Sequence, residues 1–81
     1  FLDGVSIYPN PSNGTFNLKI DKIPYDGIEV KIFNILGELK DAFVADDTHI
    51  TYSNIDLPSG IYLMTVYHSE KSKNIKFIIS K

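Results

Sequence analysis

The chain has 81 residues, enough for one domain, and a domain of this size buries only about 60–65% of its unfolded surface, so its core is modest. Hydrophobic residues make up 43% of the sequence, which is too much for a disordered segment. Eight lysines against ten acidic residues give a formal net charge of −2, without the basic cluster that nucleic-acid binding requires. Cysteine is absent, which excludes a disulfide scaffold and Cys-ligated zinc, and no apolar run is long enough to span a bilayer.

Alternation of apolar and polar residues, with turn residues about every 8–12 positions, predicts an all-β chain. The first strand covers residues 5–8 and ends at 9–14, where two prolines remove ladder donors and Asn13-Gly14 favours positive φ. The second strand, 15–20, alternates cleanly and is expected to be half buried. The third, 28–34, follows a turn that ends at Gly27 and leads into a hairpin at residues 36–38.

The later strands have softer boundaries. A fourth strand is predicted at 38–44 and a fifth at 49–55, separated by a solvated turn at 45–47. After a Pro-containing turn at 56–60, the sixth strand, 61–67, is apolar on both faces and is therefore placed centrally in its sheet. The last strand, 73–80, puts three apolar side chains on one face and is expected to run out to Lys81.

Seven short strands favour two packed antiparallel sheets, because a single open sheet would leave one face bare. The predicted fold is therefore all-β, an immunoglobulin-like antiparallel β-sandwich of about seven strands. The paired cysteines and core tryptophan of immunoglobulin domains are missing, so the likeness is one of architecture. Residues 1–81 are expected to form one domain, and the start at Phe1 without a methionine indicates a piece cut from a longer protein.

The sequence offers little material for catalysis. His49 and His68 lie on separate segments without a third ligand or a zinc-protease spacing, so both are expected at the surface. Asp46-Asp47 lacks the repeated acids that a calcium site needs and is read as a solvated turn. Asn13-Gly14-Thr15 matches a glycosylation sequon, but the turn interpretation is preferred. No catalytic residue, metal site or cofactor is predicted.

The tyrosines leave one alternative open. Five tyrosines are present, and two or three of them on one exposed face would form a carbohydrate-stacking platform. Packing of these residues in strands is the favoured interpretation. A carbohydrate-binding or adhesion module of a secreted hydrolase is therefore the alternative function.

Three segments, in this order, resemble one known family. The first, 7–16, is similar to an opening Tyr-Pro-Asn-Pro-x-x-Gly-x-Phe signature; the second, 30–39, to a hydrophobic strand followed by a glycine hairpin; the third, 55–66, to an Asp-Leu-Pro-x-Gly-x-Tyr turn and strand. A lysine-rich strand then closes the chain. Together they resemble the C-terminal sorting domain of type IX secretion cargo (the Por system, type A) of Bacteroidetes. The third segment is a shortened form of the family's stretch.

The resemblance implies a sorting signal and no catalytic role. Family members direct a larger cargo across the outer membrane by way of the periplasm, so the cargo is secreted or displayed at the cell surface. The implied partners are the type IX machinery, namely its outer-membrane shuttle, its translocon and a sortase-like peptidase that often removes the domain, together with an upstream cargo domain in the same chain. No nucleic acid and no transmembrane segment are expected.

Recognition candidates follow from these segments. Pro9, Asn10 and Pro11 form a rigid corner that fits either a docking surface or a strand terminator. Gly14, Gly37 and Gly60 are placed at turns that need positive φ, where a β-branched residue is expected to cost about 1 kcal/mol or more. The last strand is expected at a sheet edge, where its lysines either discourage aggregation or meet an acidic receptor. The remaining candidates are Tyr62, Lys73, Lys76 and Lys81.

Overall fold

The computed structural model describes residues 4–54 and 56–81, so the predicted start at 1–3 and Ile55, the last residue of the fifth predicted strand, lie outside the described residues. Within them the chain forms seven antiparallel strands in two sheets, of order β1-β2-β5 and β4-β3-β6-β7. The strands are β1 (Val5–Tyr8), β2 (Thr15–Ile20), β3 (Ile28–Asn34), β4 (Leu39–Ala45), β5 (His49–Ser53), β6 (Gly60–His68) and β7 (Lys71–Ile79). The predicted all-β sandwich is confirmed.

The connectivity follows the immunoglobulin plan with one difference. In constant-type domains the fourth strand joins the sheet of the first, second and fifth. Here β4 pairs with β3 instead, which enlarges the other sheet to four strands. The four-stranded sheet therefore has β4 at one edge and β7 at the other.

The core forms where the alternating strands face each other. Every strand supplies buried apolar side chains to a single cluster. β1, β4 and β5 contribute one each (Val5, Ala45 and Tyr52), and the other strands contribute two or more. Five aromatic rings run through it in contact, with centroid separations of 5.0–5.6 Å. These rings are, in contact order, Phe43, Tyr52, Phe16, Phe77 and Tyr62. Offset and tilted ring pairs of this kind stabilise a core beyond their buried area.

The poor patterning of β4 has a structural cause. A register shift between the pairs of Ile32 and Phe33 leaves Lys40 without an opposite residue on β3. The shift places Leu39 beside Phe33 instead of on the face that Asp41 and Phe43 occupy, and Leu39 is 54% exposed. A β-bulge thus moves one apolar residue from the inner to the outer face.

The central placement of β6 in its sheet is confirmed, and the distal part of its outer face is open, since Ile61 and Leu63 are 42% and 37% exposed. No second layer covers that face among residues 4–54 and 56–81. The expectation that the last strand runs out to Lys81 was wrong. β7 ends at Ile79, so Ser80 and Lys81 lie beyond the strand.

Candidate distal recognition site

The three segments that carry the family resemblance converge at one end of the sandwich. β1, β3 and β7 all finish there, and β6 begins there because Gly60 pairs with Ile79. Backbone bonds join the loops of the two sheets at this end, from Ser80 N to Ser12 O (2.7 Å). We call it the distal end. The opposite, basal end is where β1 begins beside Asp21.

The exposed corner of Pro9, Asn10 and Pro11 is attached to the last strand. The Asn10 side chain acts as a short piece of β-strand: its Oδ1 accepts a hydrogen bond from Ile78 N (2.9 Å) and its Nδ2 donates to Lys76 O (3.4 Å). Ser12 N donates to Ile78 O (3.0 Å), and Ser12 itself is buried. The opening signature and the last strand therefore form one structural unit.

The turn that follows is built from local bonds. Asn13 Oδ1 accepts from Thr15 N (3.2 Å), and Gly14, at φ 106°, places its carbonyl to accept from Asn54 N (3.2 Å). A depression of about 180 Å³ lies here between the residues 13–15 and 53–54. It is smaller than the roughly 300 Å³ of a typical small-molecule site.

The hairpin between β3 and β4 is organised by Asn34. Its Oδ1 accepts from both Leu36 N (3.0 Å) and Glu38 N (2.9 Å), and its Nδ2 donates to Glu38 Oε1 (2.7 Å). Gly37 sits in this hairpin at φ 83°, where a side chain is disfavoured. The prediction of positive φ is thus confirmed for Gly14 and Gly37.

The prediction was wrong for Gly60. Its φ is not positive because it is already the first residue of β6, paired with Ile79. The turn before it is held instead by Tyr62, which is buried and donates from its hydroxyl to Pro58 O (2.6 Å). Lys81 N reaches the same turn through Ser59 Oγ (2.9 Å).

Exposed apolar side chains surround the hairpin. Ile35 and Leu36 are 76% and 80% exposed. From Leu39 the apolar surface continues across neighbouring strands to Phe33 and Leu63, which pair in register. We call these five residues the distal apolar patch. Large exposed apolar patches mark contacts with proteins or membranes, which makes this patch a candidate contact surface.

The candidate lysines are not gathered into one cluster. Lys76 and Lys81 are exposed in the distal half of the domain. Lys73 pairs with Val66, farther toward the basal end, and points to the opposite face of β7 from Lys76. The lysines therefore line the strand on both sides.

The histidines lie apart, as expected. His49 Nε2 is 2.8 Å from the Tyr8 hydroxyl, and His68 Nε2 is 3.3 Å from Asp26 Oδ1 on the basal side. Among residues 4–54 and 56–81, no three His, Cys, Asp or Glu side chains are grouped so as to hold a metal ion. A search of the same residues found no helix with the length and apolar character of a membrane span.

One partly buried contact was not visible in the sequence. The Tyr52 hydroxyl on β5 donates to Asp41 Oδ2 (2.6 Å) on β4, across the two sheets, and accepts from Asn54 Nδ2 (3.2 Å). Burial, reinforced by the bond to Asp41, raises the pKa of Tyr52 to about 12. Asp41 lies on the inner face of β4 with Phe43 and Ala45, and the packing of the two sheets, which a single sequence does not reveal, brings it to Tyr52.

The chain was compared with known proteins. The profile of a family described as the secretion system C-terminal sorting domain matches residues 6–80. Among solved structures, one match is PorZ of Porphyromonas gingivalis, described as an essential bacterial surface component of the type-IX secretion system. It is 29% identical with a TM-score of 0.79, and the alignment covers 98% of this chain and 12% of PorZ. No curated protein matches significantly.

The family profile covers β2 to β7 and all of β1 except Val5. The chain belongs to the family of secretion system C-terminal sorting domains, and it carries a C-terminal sorting signal for type IX secretion.

Proposed function

We propose that this domain is the sorting signal of a larger exported protein and that the secretion machinery binds it at the distal end. The observation that carries this proposal is the convergence of all three signature segments there, on a domain whose family is a sorting domain. In this proposal the cargo precedes β1, whose first residue lies at the basal end. The same proposal includes that residues 1–81 form a single domain carried by the cargo protein.

The proposed partners follow the family. The cargo passes through the periplasm, the outer-membrane shuttle and translocon bind the domain, and a sortase-like peptidase removes it. A C-terminal sorting domain is not itself catalytic, so in this scheme it is the peptidase's substrate. The cargo is then secreted or kept at the cell surface.

The distal apolar patch supports a protein contact at this end. Leu36 is 80% exposed on a hairpin whose shape Asn34 fixes, so it presents an apolar side chain on a rigid support. Contiguous exposed apolar surface is typical of sites that contact another protein. The corner of Pro9, Asn10 and Pro11 lies at the same end and is also exposed.

Export is tested with a fusion. Residues 1–81 are placed after a signal peptide and a fluorescent protein and expressed in hosts with and without a working type IX system. We expect fluorescence at the surface or in the medium only in the competent host. Retention in the periplasm of both hosts would refute the transport function.

The role of the distal end is tested with a matched pair. Leu36→Asp changes an exposed apolar residue at the distal end, whereas Val44→Asp changes one that is 60% exposed at the basal end of the same sheet. We expect only Leu36→Asp to reduce export, with both variants folded by circular dichroism. Equal export of the two fusions would remove the distal apolar patch from the proposal.

The carbohydrate alternative finds no platform among the described residues. Tyr52 and Tyr62 are buried in the core, and Tyr67 is half-buried under Lys31. Tyr8 and Tyr25 are exposed, but Tyr8 ends β1 at the distal end and Tyr25 lies in the basal loop before β3. Two or three rings on one exposed face are therefore not found.

A further inference from the structure

The free edge of β7 is divided into a covered and an open part. β7 is the last strand of its sheet, and among residues 4–54 and 56–81 only the Asn10–Ser12 corner is hydrogen bonded along its outer side. That corner reaches from Ser80 to the carbonyl of Lys76. Among the described residues, no strand lies beside the rest of β7, from Lys76 N–H toward the basal end.

The open part presents a regular row of backbone groups. Ile78 turns both its N–H and its C=O outward, to Asn10 and Ser12. In an antiparallel ladder alternate residues point the same way, so Asn74 and Ser72 also direct both backbone groups outward. This row of donors and acceptors fits one more strand, the mode of binding known as β-augmentation.

The charge of this strand is opposite to that of the rest of the chain. Residues 71–81 contain four lysines and no acid, whereas residues 1–70 contain four lysines and all ten acids. Along the open edge, Lys71 and Lys76 are both exposed, and they lie on opposite faces of β7. A strand added there would meet a lysine on each of its faces.

We propose that the open edge of β7, centred on Ser72 and Asn74, binds an extended acidic segment of a partner protein as an additional strand. This inference rests on the proposed function, because it names the kind of partner segment that reads the sorting domain. The positive charge of the open edge favours an acidic segment over a second copy of this chain. A second copy would bring two lysine-rich strands together, and directly opposed like charges destabilise a strand pair.

The test uses the 81-residue chain and a synthetic peptide of about ten residues in which glutamate and valine alternate, a length that matches a typical strand. Its control is the same peptide with lysine in place of glutamate. We expect the acidic peptide to slow amide exchange at Ser72 and Asn74 by about tenfold or more, as new backbone hydrogen bonds protect these groups. The basic peptide should have no effect.

A matched pair of charge variants tests the lysines. Lys71→Glu/Lys76→Glu should weaken binding of the acidic peptide by about tenfold or more, since two exposed ion pairs are lost. Lys22→Glu/Lys40→Glu makes the same change in net charge at two exposed lysines away from this edge and should leave binding unchanged. Equal losses in both pairs would mean a general charge effect and would overturn the proposal.

Further outcomes would overturn this inference or separate it from the transport function. Protection by the basic peptide, or protection of β4 in place of Ser72 and Asn74, would overturn the inference. Failure of the acidic peptide to bind while the fusion is still exported would overturn it and leave the transport function standing. Binding that protects Ser72 and Asn74, combined with no export of the unaltered fusion, would retain the edge site and refute the transport function.

Discussion

Asn10 offers the sharpest test of the link between the opening signature and the last strand. Its side chain bonds the backbone of β7 at Ile78 N and Lys76 O, and the sequence separations are 68 and 66 residues. Asn10→Ala removes both bonds without changing the core. Asn10→Asp keeps the acceptor for Ile78 N and removes only the donor to Lys76 O.

The magnitude follows from the two geometries. The bond to Ile78 N, at 2.9 Å, is well formed, whereas the bond to Lys76 O, at 3.4 Å, is long. A typical intramolecular hydrogen bond contributes about 1 kcal/mol net, and Asn10 is exposed, so water partly replaces what is lost. We expect Asn10→Ala to lower the free energy of unfolding by about 1 kcal/mol. Asn10→Asp should cost less than half of that.

The assay combines urea unfolding with amide exchange at Ile78. With a slope near 1 kcal/mol per molar urea for a small domain, the unfolding midpoint of Asn10→Ala should fall by about 1 M. Exchange of the Ile78 amide should be about fivefold faster. Asn13→Ala is the control, because Asn13 Oδ1 bonds only the neighbouring Thr15 N in the same loop.

The reasoning fails if Ile78 exchange is unchanged in Asn10→Ala, or if Asn13→Ala accelerates it equally. In the first case the corner does not hold β7, and in the second the loop acts through its general rigidity. An Asn10→Asp variant as unstable as Asn10→Ala would show that the long bond to Lys76 O dominates, against the geometry.

Three further predictions concern stability. Gly27 and Gly37 both have φ 83°, so Gly→Ala at either position carries a backbone cost of about 1–2 kcal/mol. Of the two, only Gly27 would also place its new Cβ 2.9 Å from Ala45 O. Urea unfolding should therefore show the larger loss of stability for Gly27→Ala, and equal losses would contradict this. The raised pKa of Tyr52, about 12 against 10.0, favours the neutral hydroxyl in the fold, so the free energy of unfolding should be intact below pH 10, fall between pH 10 and 12, and lose this dependence in Tyr52→Phe. Deleting residues 75–81 should abolish cooperative unfolding along with export, because two of the deleted side chains are in the core, and a folded truncation would refute this.

The unfolding expected on deletion of residues 75–81 limits how secretion tests are designed. Phe77 and Ile79 are each 1% exposed, so removing the end of β7 destroys the sandwich as well as any signal it carries. Loss of export after such a deletion cannot distinguish the two causes. Substitution of outward residues such as Lys76, which leaves the core intact, is therefore the informative experiment.

Much of the fold was readable from alternation and turn residues. β1, β2 and β3 have the predicted bounds, because apolar and polar residues largely alternate along them and the chain turns polar or reaches a proline where each one ends. β4 was placed one residue early because its bulge breaks the period. The pairing of β4 with β3, and the open outer face of β6, depend on how strands arrange in sheets, and local sequence does not encode this.

The candidate site was readable only in part. Positive φ at Gly14 and Gly37 follows from local turn chemistry, and the sequence predicted it. The bonds of Asn10 to β7 join residues more than 60 positions apart, so no local pattern could indicate them. The same is true of the bond between Tyr52 and Asp41, which needs the packing of one sheet on the other.

The long-range character of the distal end bears on what a partner reads there. The Asn10–Ser12 corner belongs to the first quarter of the chain and Ile78 to its last strand, so their hydrogen bonds exist only when the sandwich is complete. Contacts of high sequence separation form after loop closure, at the expense of chain entropy. A partner that binds the covered part of the β7 edge, or the corner that covers it, therefore distinguishes the folded domain from any partly folded or truncated one.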